Sequence, residues 1–138
     1  MKLRIRGNSI RIRMTRSEVA TLASAGIVEE SIQFTASPDD RLVYVVQTST
    51  DAKSALAWRS GLRIGITLPK DRALLWAESV QVGIEHLQLI TDSSALRIVV
   101  EKDFKCLQPR TDEDESDNFL NLTEGVEAGF GPPCTGQH

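Results

Sequence analysis

The side chains best suited to chemistry in this sequence are cations set at alternate positions. Lys2, Arg4 and Arg6 interleave with Leu3 and Ile5, and Arg11 and Arg13 interleave with Ile10, Ile12 and Met14. Successive side chains on a strand point to opposite faces, so the apolar partners face a core and the cations share the other side. Arg63 and Arg97 hold the same polar phase in two later alternating runs. Together Lys2, Arg4, Arg6, Arg11, Arg13, Arg63 and Arg97 are expected to form one basic sheet face. Guanidinium forks match phosphate and carboxylate geometry, so the expected ligand is an anionic small molecule or an acidic protein surface. The plainer alternative is a solvated face whose long stems cover an open sheet and blunt its edges.

Other residues suggest weaker chemistry. Glu29, Glu85 and Glu101 fall on expected strands, where they could balance the arginines or hold a divalent metal against a phosphate. Cys106, Cys134 and His138 are potential metal ligands, with Cys134 and His138 at a spacing that some zinc sites use. No Cys-x-x-Cys accompanies them, and a fourth ligand is not evident. The acidic run Asp112-Glu113-Asp114-Glu115-Ser116-Asp117 lacks the glycine and closing glutamate of a calcium loop. Its carboxylates could instead fold over the arginine face. His86 sits in an apolar-polar rhythm, and no nucleophile elbow, P-loop or dinucleotide fingerprint occurs. No catalytic residue is assigned and no cofactor is expected; a divalent metal enters only under an enzymatic alternative.

The elements that must position these residues follow from periodicity. Residues 2–14 read as two strands joined at Gly7-Asn8, a hairpin turn. Thr15-Arg16-Ser17-Glu18 reads as a capping box that opens a helix, with Val19, Leu22 and Ala23 as its buried stripe and Gly26 as its stop. Strands follow at about 28–34 and 41–48, parted by Ser37-Pro38-Asp39-Asp40. The pattern then recurs at an offset of 54 residues: Ile10, Ile12 and Met14 map onto Ile64, Ile66 and Leu68, and Val19 and Leu22 onto Ala73 and Trp76. Pro69 is expected as the first residue of a second helix, and strands at about 80–90 and 95–102 complete the copy. Ala52 to Trp58 fits either a short strand or a helix, and Trp58 and Trp76 both read as core.

The expected fold is therefore α+β. Two β-α-β-β repeats, at about 9–48 and 62–102, are related by a pseudo-two-fold axis and preceded by an extra N-terminal strand. They would form one antiparallel sheet, curved or closed, with two helices. The domain is expected to span 1–107, with an acidic and then Gly/Pro-rich tail at 108–138. Open sheet edges would permit a homodimer.

The chain has 138 residues, of which 41% are apolar and 25% charged, enough for one domain with a real core. A net charge of -3 and the scarcity of aromatic residues argue against nucleic-acid binding. No apolar stretch reaches the roughly 20 residues of a membrane span, and the start lacks a signal-peptide core, so a cytoplasmic location without membrane partners is expected. The two cysteines lie far apart in sequence and are expected as reduced thiols.

Two resemblances add to this reading. A duplicated β-α-β-β barrel with a charged interior resembles the triphosphate tunnel enzymes, which implies metal-assisted phosphate or triphosphate processing as the alternative function. Those enzymes open on an acidic strand, whereas this chain opens on Lys2-Leu3-Arg4-Ile5-Arg6. The leading expectation is accordingly a non-enzymatic binding or interaction domain. The chain also resembles a small uncharacterised bacterial family, through Lys2-Leu3-Arg4-Ile5-Arg6-Gly7-Asn8-Ser9, Ser79-Val80-Gln81-Val82-Gly83-Ile84 and Glu101-Lys102-Asp103-Phe104-Lys105-Cys106-Leu107 with the acidic cluster after it. That resemblance implies bacterial origin and a single domain, and carries no activity with it.

Overall fold

The computed structural model describes residues 1–104 and 117–119. The N-terminal hairpin is β1 (Lys2–Ile5) and β2 (Ser9–Met14), followed by α1 (Arg16–Ala25) and a second hairpin, β3 (Ile27–Gln33) and β4 (Arg41–Ser49). The same succession then returns as β5 (Leu56–Ser60), β6 (Arg63–Pro69), α2 (Lys70–Glu78), β7 (Gly83–Thr91) and β8 (Ser94–Lys102). The segment from Ala52 to Trp58 thus leads into a strand, and β1 is the first member of a hairpin with a later counterpart in β5.

These strands form two four-stranded sheets, not the single antiparallel sheet or barrel expected. The first sheet has the order β1-β2-β8-β7 and the second β3-β4-β6-β5. Both are mixed, because β2 runs parallel to β8 and β4 parallel to β6. The reason lies in the helices. α1 carries the chain from β2 in the first sheet to β3 in the second, and α2 carries it back from β6 to β7. A parallel pair needs a long connection: β4 reaches β6 by way of β5, and β2 is parted from β8 by both helices and the whole second sheet.

One core serves both sheets. Ile12 and Met14 of β2, Val46 of β4, Ile66 and Leu68 of β6, and Ile98 and Val100 of β8 are buried together with Val19 and Leu22 of α1 and Ala73 and Trp76 of α2. Each such aliphatic side chain removed from water stabilises the fold by about 1.5–3 kcal/mol. Trp76 is fully buried, and its indole N–H donates to the Val82 carbonyl at 3.0 Å. Trp58 departs from expectation: it lies on the outer face of the second sheet, over Gly65 and outside the core cluster. A Cβ at position 65 would stand 2.5 Å from the Trp58 ring, so glycine there is a packing requirement.

The helix signals act as read. Thr15 Oγ1 accepts from the Glu18 N–H, Glu18 Oε1 accepts from the Thr15 N–H at 2.9 Å, and Gly26 ends α1 at φ 82°. Pro69 stands one residue earlier than expected, at the N-cap of α2. Two further contacts tie the molecule together. Gln88 of β7 reaches the outer edge of β5, where its Oε1 accepts from the Ala57 N–H at 2.7 Å and its Nε2 donates to the Ala57 carbonyl at 3.1 Å. Residues 117–119 return to the domain. The Arg16 N–H donates to the Asp117 carbonyl, both the Ser17 hydroxyl and its N–H donate to the Asp117 carboxylate, and the Phe119 N–H donates to the Asp103 carbonyl. A carboxylate at a helix N-terminus complements the unpaired N–H groups and dipole there.

Candidate anion-binding site

The site is built on the N-terminal hairpin. Gly7, at φ 54°, takes the first central position of a two-residue turn, where a positive φ favours glycine. Asn8 fixes the turn to β8 by donating to the Ala95 carbonyl at 2.7 Å. In the resulting register Lys2 lies opposite Arg13 and Arg4 opposite Arg11, while on the other side of β2 Arg13 meets Glu101 and Ser9 meets Arg97. Period-two alternation then places Lys2, Arg4, Arg11, Arg13 and Arg97 on the outer face of the first sheet. Arg4, Arg6, Ser9, Arg11 and Arg97, with Val99 beneath, line a cleft of about 190 Å³.

Arg63 does not belong to this face. It sits on β6 of the second sheet, where its guanidinium meets Glu29 at 3.0 Å. The expectation of one face failed there because the polar phase of a strand says which side a residue takes, not which sheet it is in.

Charge is unevenly balanced across the cleft. Glu101 takes Arg13 at 2.9 Å and Arg11 at 3.7 Å, Glu85 takes Arg97 at 3.4 Å, and Asp103 takes Lys2 at 3.2 Å. Arg4 and Arg6 have no carboxylate partner among the described residues. Arg4 also lies directly opposite Arg11, and like charges facing each other across a strand pair are destabilising. An anion lying between them would relieve that repulsion, and arginine forks are suited to hold one by paired hydrogen bonds.

The candidate metal sets are not assembled. Glu29 lies on the second sheet, Glu85 and Glu101 lie on the first, and each is engaged by an arginine. No group of three His, Cys, Asp or Glu side chains comes together among the described residues. Cys106, Cys134, His138 and the acidic run from Asp112 to Ser116 lie outside the described residues. Of the cluster, Asp117 alone is described, and it serves the start of α1 as set out above.

Three features lay beyond sequence reasoning. Asp103 pairs with Lys2, with only its position just past a strand as a signal. Lys102 is buried, with its ammonium donating to the Ser79 carbonyl at 2.6 Å and lying 5.2 Å from the Phe119 ring and 5.9 Å from the Trp76 ring. Burial lowers its pKa. The Met1 ammonium is clamped by Glu18 at 2.6 Å and Glu30 at 2.7 Å, and the Tyr44 hydroxyl donates to Glu30 at 3.1 Å. Burial works against the Met1 charge, but the hydrogen bonds to Glu18 and Glu30 outweigh it and hold the amine above its usual range. Burial also works against the Glu18 charge, yet the bonds from Met1 and Thr15 bring its carboxyl below the usual range.

The chain belongs to a family of unknown function, DUF7009, whose family model matches residues 1–123. No curated protein and no solved structure matches it. No helix among the described residues is long and apolar enough to cross a membrane.

Proposed function

We propose that this member of a family of unknown function is a non-enzymatic binding domain that takes an anion on the outer face of its first sheet. The observation that carries this reading is the pair Arg4 and Arg6, which lack a carboxylate partner among the described residues and converge with Arg11, Arg97 and Ser9 on one cleft. A cleft of about 190 Å³ suits a phosphate, a carboxylate or the tip of an acidic partner, and the chain's own acidic residues at 112–115 are a further candidate anion. In support, Arg4, Arg11 and Arg97 sit on strands, and Glu101 of β8 and Glu85 of β7 hold Arg11 and Arg97, so the cleft binds without first ordering a loop. The recurring order of elements and the 54-residue offset support a duplicated scaffold about a pseudo-two-fold axis. On that reading the site is asymmetric, because the second copy puts Trp58 and Gly65 where the first has Arg4 and Arg11. The resemblance carried by Lys2-Leu3-Arg4-Ile5-Arg6-Gly7-Asn8-Ser9 supports a bacterial origin.

The test is a thermal-shift and heparin-retention screen with phosphate, pyrophosphate and nucleotides, with and without magnesium or manganese. Wild type should be stabilised by an anion without any metal requirement, with an affinity that falls as salt rises. The double variant Arg4→Ala, Arg6→Ala should lose at least about tenfold in affinity, roughly the loss of one charge-assisted pair. Arg63→Ala, on the other sheet, should leave binding unchanged. If no anion shifts the melting temperature and the double variant elutes from heparin like wild type, the reading fails.

A further inference from the structure

Resting on that reading, the open edge of β1 names the class of partner. Among the described residues β1 is an outer strand of the first sheet, paired on one side only. Arg6 and Ser9 exchange both backbone hydrogen bonds, Arg6 N–H to Ser9 carbonyl at 3.2 Å and Ser9 N–H to Arg6 carbonyl at 3.1 Å. In an antiparallel ladder such pairs alternate with unbonded ones. Arg4 therefore bonds Arg11, and the N–H and carbonyl groups of Leu3 and Ile5 point away from β2. No partner for them exists among the described residues. The equivalent edge in the other sheet is closed. Ala57, which stands 54 residues after Leu3, has both its outward groups satisfied by the Gln88 side chain.

The side chains along this open edge alternate in character. Lys2, Arg4 and then Arg6 present cations on the outer face, while Leu3 and Ile5 present apolar side chains on the inner one, and Ile5 is 62% exposed. We propose that β1 accepts an extended peptide in which acidic and apolar residues alternate, added as a fifth strand to the first sheet. Its apolar residues would lie beside Leu3 and Ile5 and exchange backbone hydrogen bonds with them, and its carboxylates would fall beside Lys2, Arg4 and Arg6. Main-chain bonds supply the attachment in this mode, and the alternation of side chains supplies the choice.

The test uses three end-capped synthetic peptides: alternating Glu-Val-Glu-Val-Glu-Val, the block isomer Glu-Glu-Glu-Val-Val-Val, and the alternating peptide with each valine N-methylated. The alternating peptide should bind the full-length chain at least about tenfold more tightly than either control. On binding, the Leu3 and Ile5 amides should gain protection from hydrogen exchange. Ile5→Pro removes an outward donor and leaves the β1–β2 bonds in place, so it should lose the alternating peptide while keeping heparin retention. Equal binding of alternating and block peptides, with both dependent on Arg4 and Arg6, would overturn strand addition and leave the anion site standing. Absence of any peptide or heparin binding would overturn both.

Discussion

The Met1 ammonium illustrates how much one group can organise. It bridges Glu18 of α1 and Glu30 of β3, so a single cation ties the start of the chain to an element of each kind. Glu18 answers twice, since the same carboxylate closes the capping box on Thr15. The two pKa shifts set a window for this clamp. With the amine held above its usual value, its contribution is complete below about pH 8 and is lost as pH rises through the raised value. With Glu18 held below its usual value, its contribution is complete above about pH 4.3 and is lost as pH falls through the lowered one. Acetylating the amine, or extending the chain before Met1, should therefore lower stability at pH 7 by about 1–3 kcal/mol and abolish the alkaline decline. Urea denaturation of the acetylated and free forms across pH 6–10 measures both effects; identical curves would refute the clamp.

At the scale of elements, α1 is anchored by Val19 and Leu22, the residues buried along it, and its start is fixed by the capping box. Thr15→Ala should cost about 1 kcal/mol, seen as a lower urea midpoint with an unchanged slope. The capping box, the Gly26 stop and the Gly7-Asn8 turn were all legible in the sequence, because each is a local signal that acts through its own backbone. The strands were legible for the same reason. Their partners were not: alternation in β2 says that Ile12 faces inward, but nothing in it says that the next strand is β8, with Arg97 opposite Ser9. The basic face followed for Lys2, Arg4, Arg11 and Arg13, which share a hairpin, and failed for Arg63, whose sheet is set by a crossover. Trp58 was misplaced likewise, since its fit over Gly65 is a relation between neighbouring strands.

For the whole molecule, the two sheets are held by the shared core and by Gln88, whose side chain stands where a strand would otherwise pair. Gln88→Ala would leave the Ala57 N–H and carbonyl without partners. Stability should fall by about 1–3 kcal/mol, and the newly opened β5 edge should promote self-association. Urea denaturation measures the first effect and sedimentation velocity the second; a variant as stable and as monodisperse as wild type would show that Gln88 plugs nothing.

The passage of the helices from sheet to sheet also sets an order of assembly. The second sheet is contiguous in sequence, since β3, β4, β5 and β6 all lie between Ile27 and Pro69. The first is split, its opening hairpin parted from β7 and β8 by everything in between. A chain made from its N-terminus has every strand of the second sheet in hand while the arginine hairpin still lacks β8. Arg97 and Glu101 thus arrive after the whole second sheet, and the basic cleft is completed only once β8 has been made.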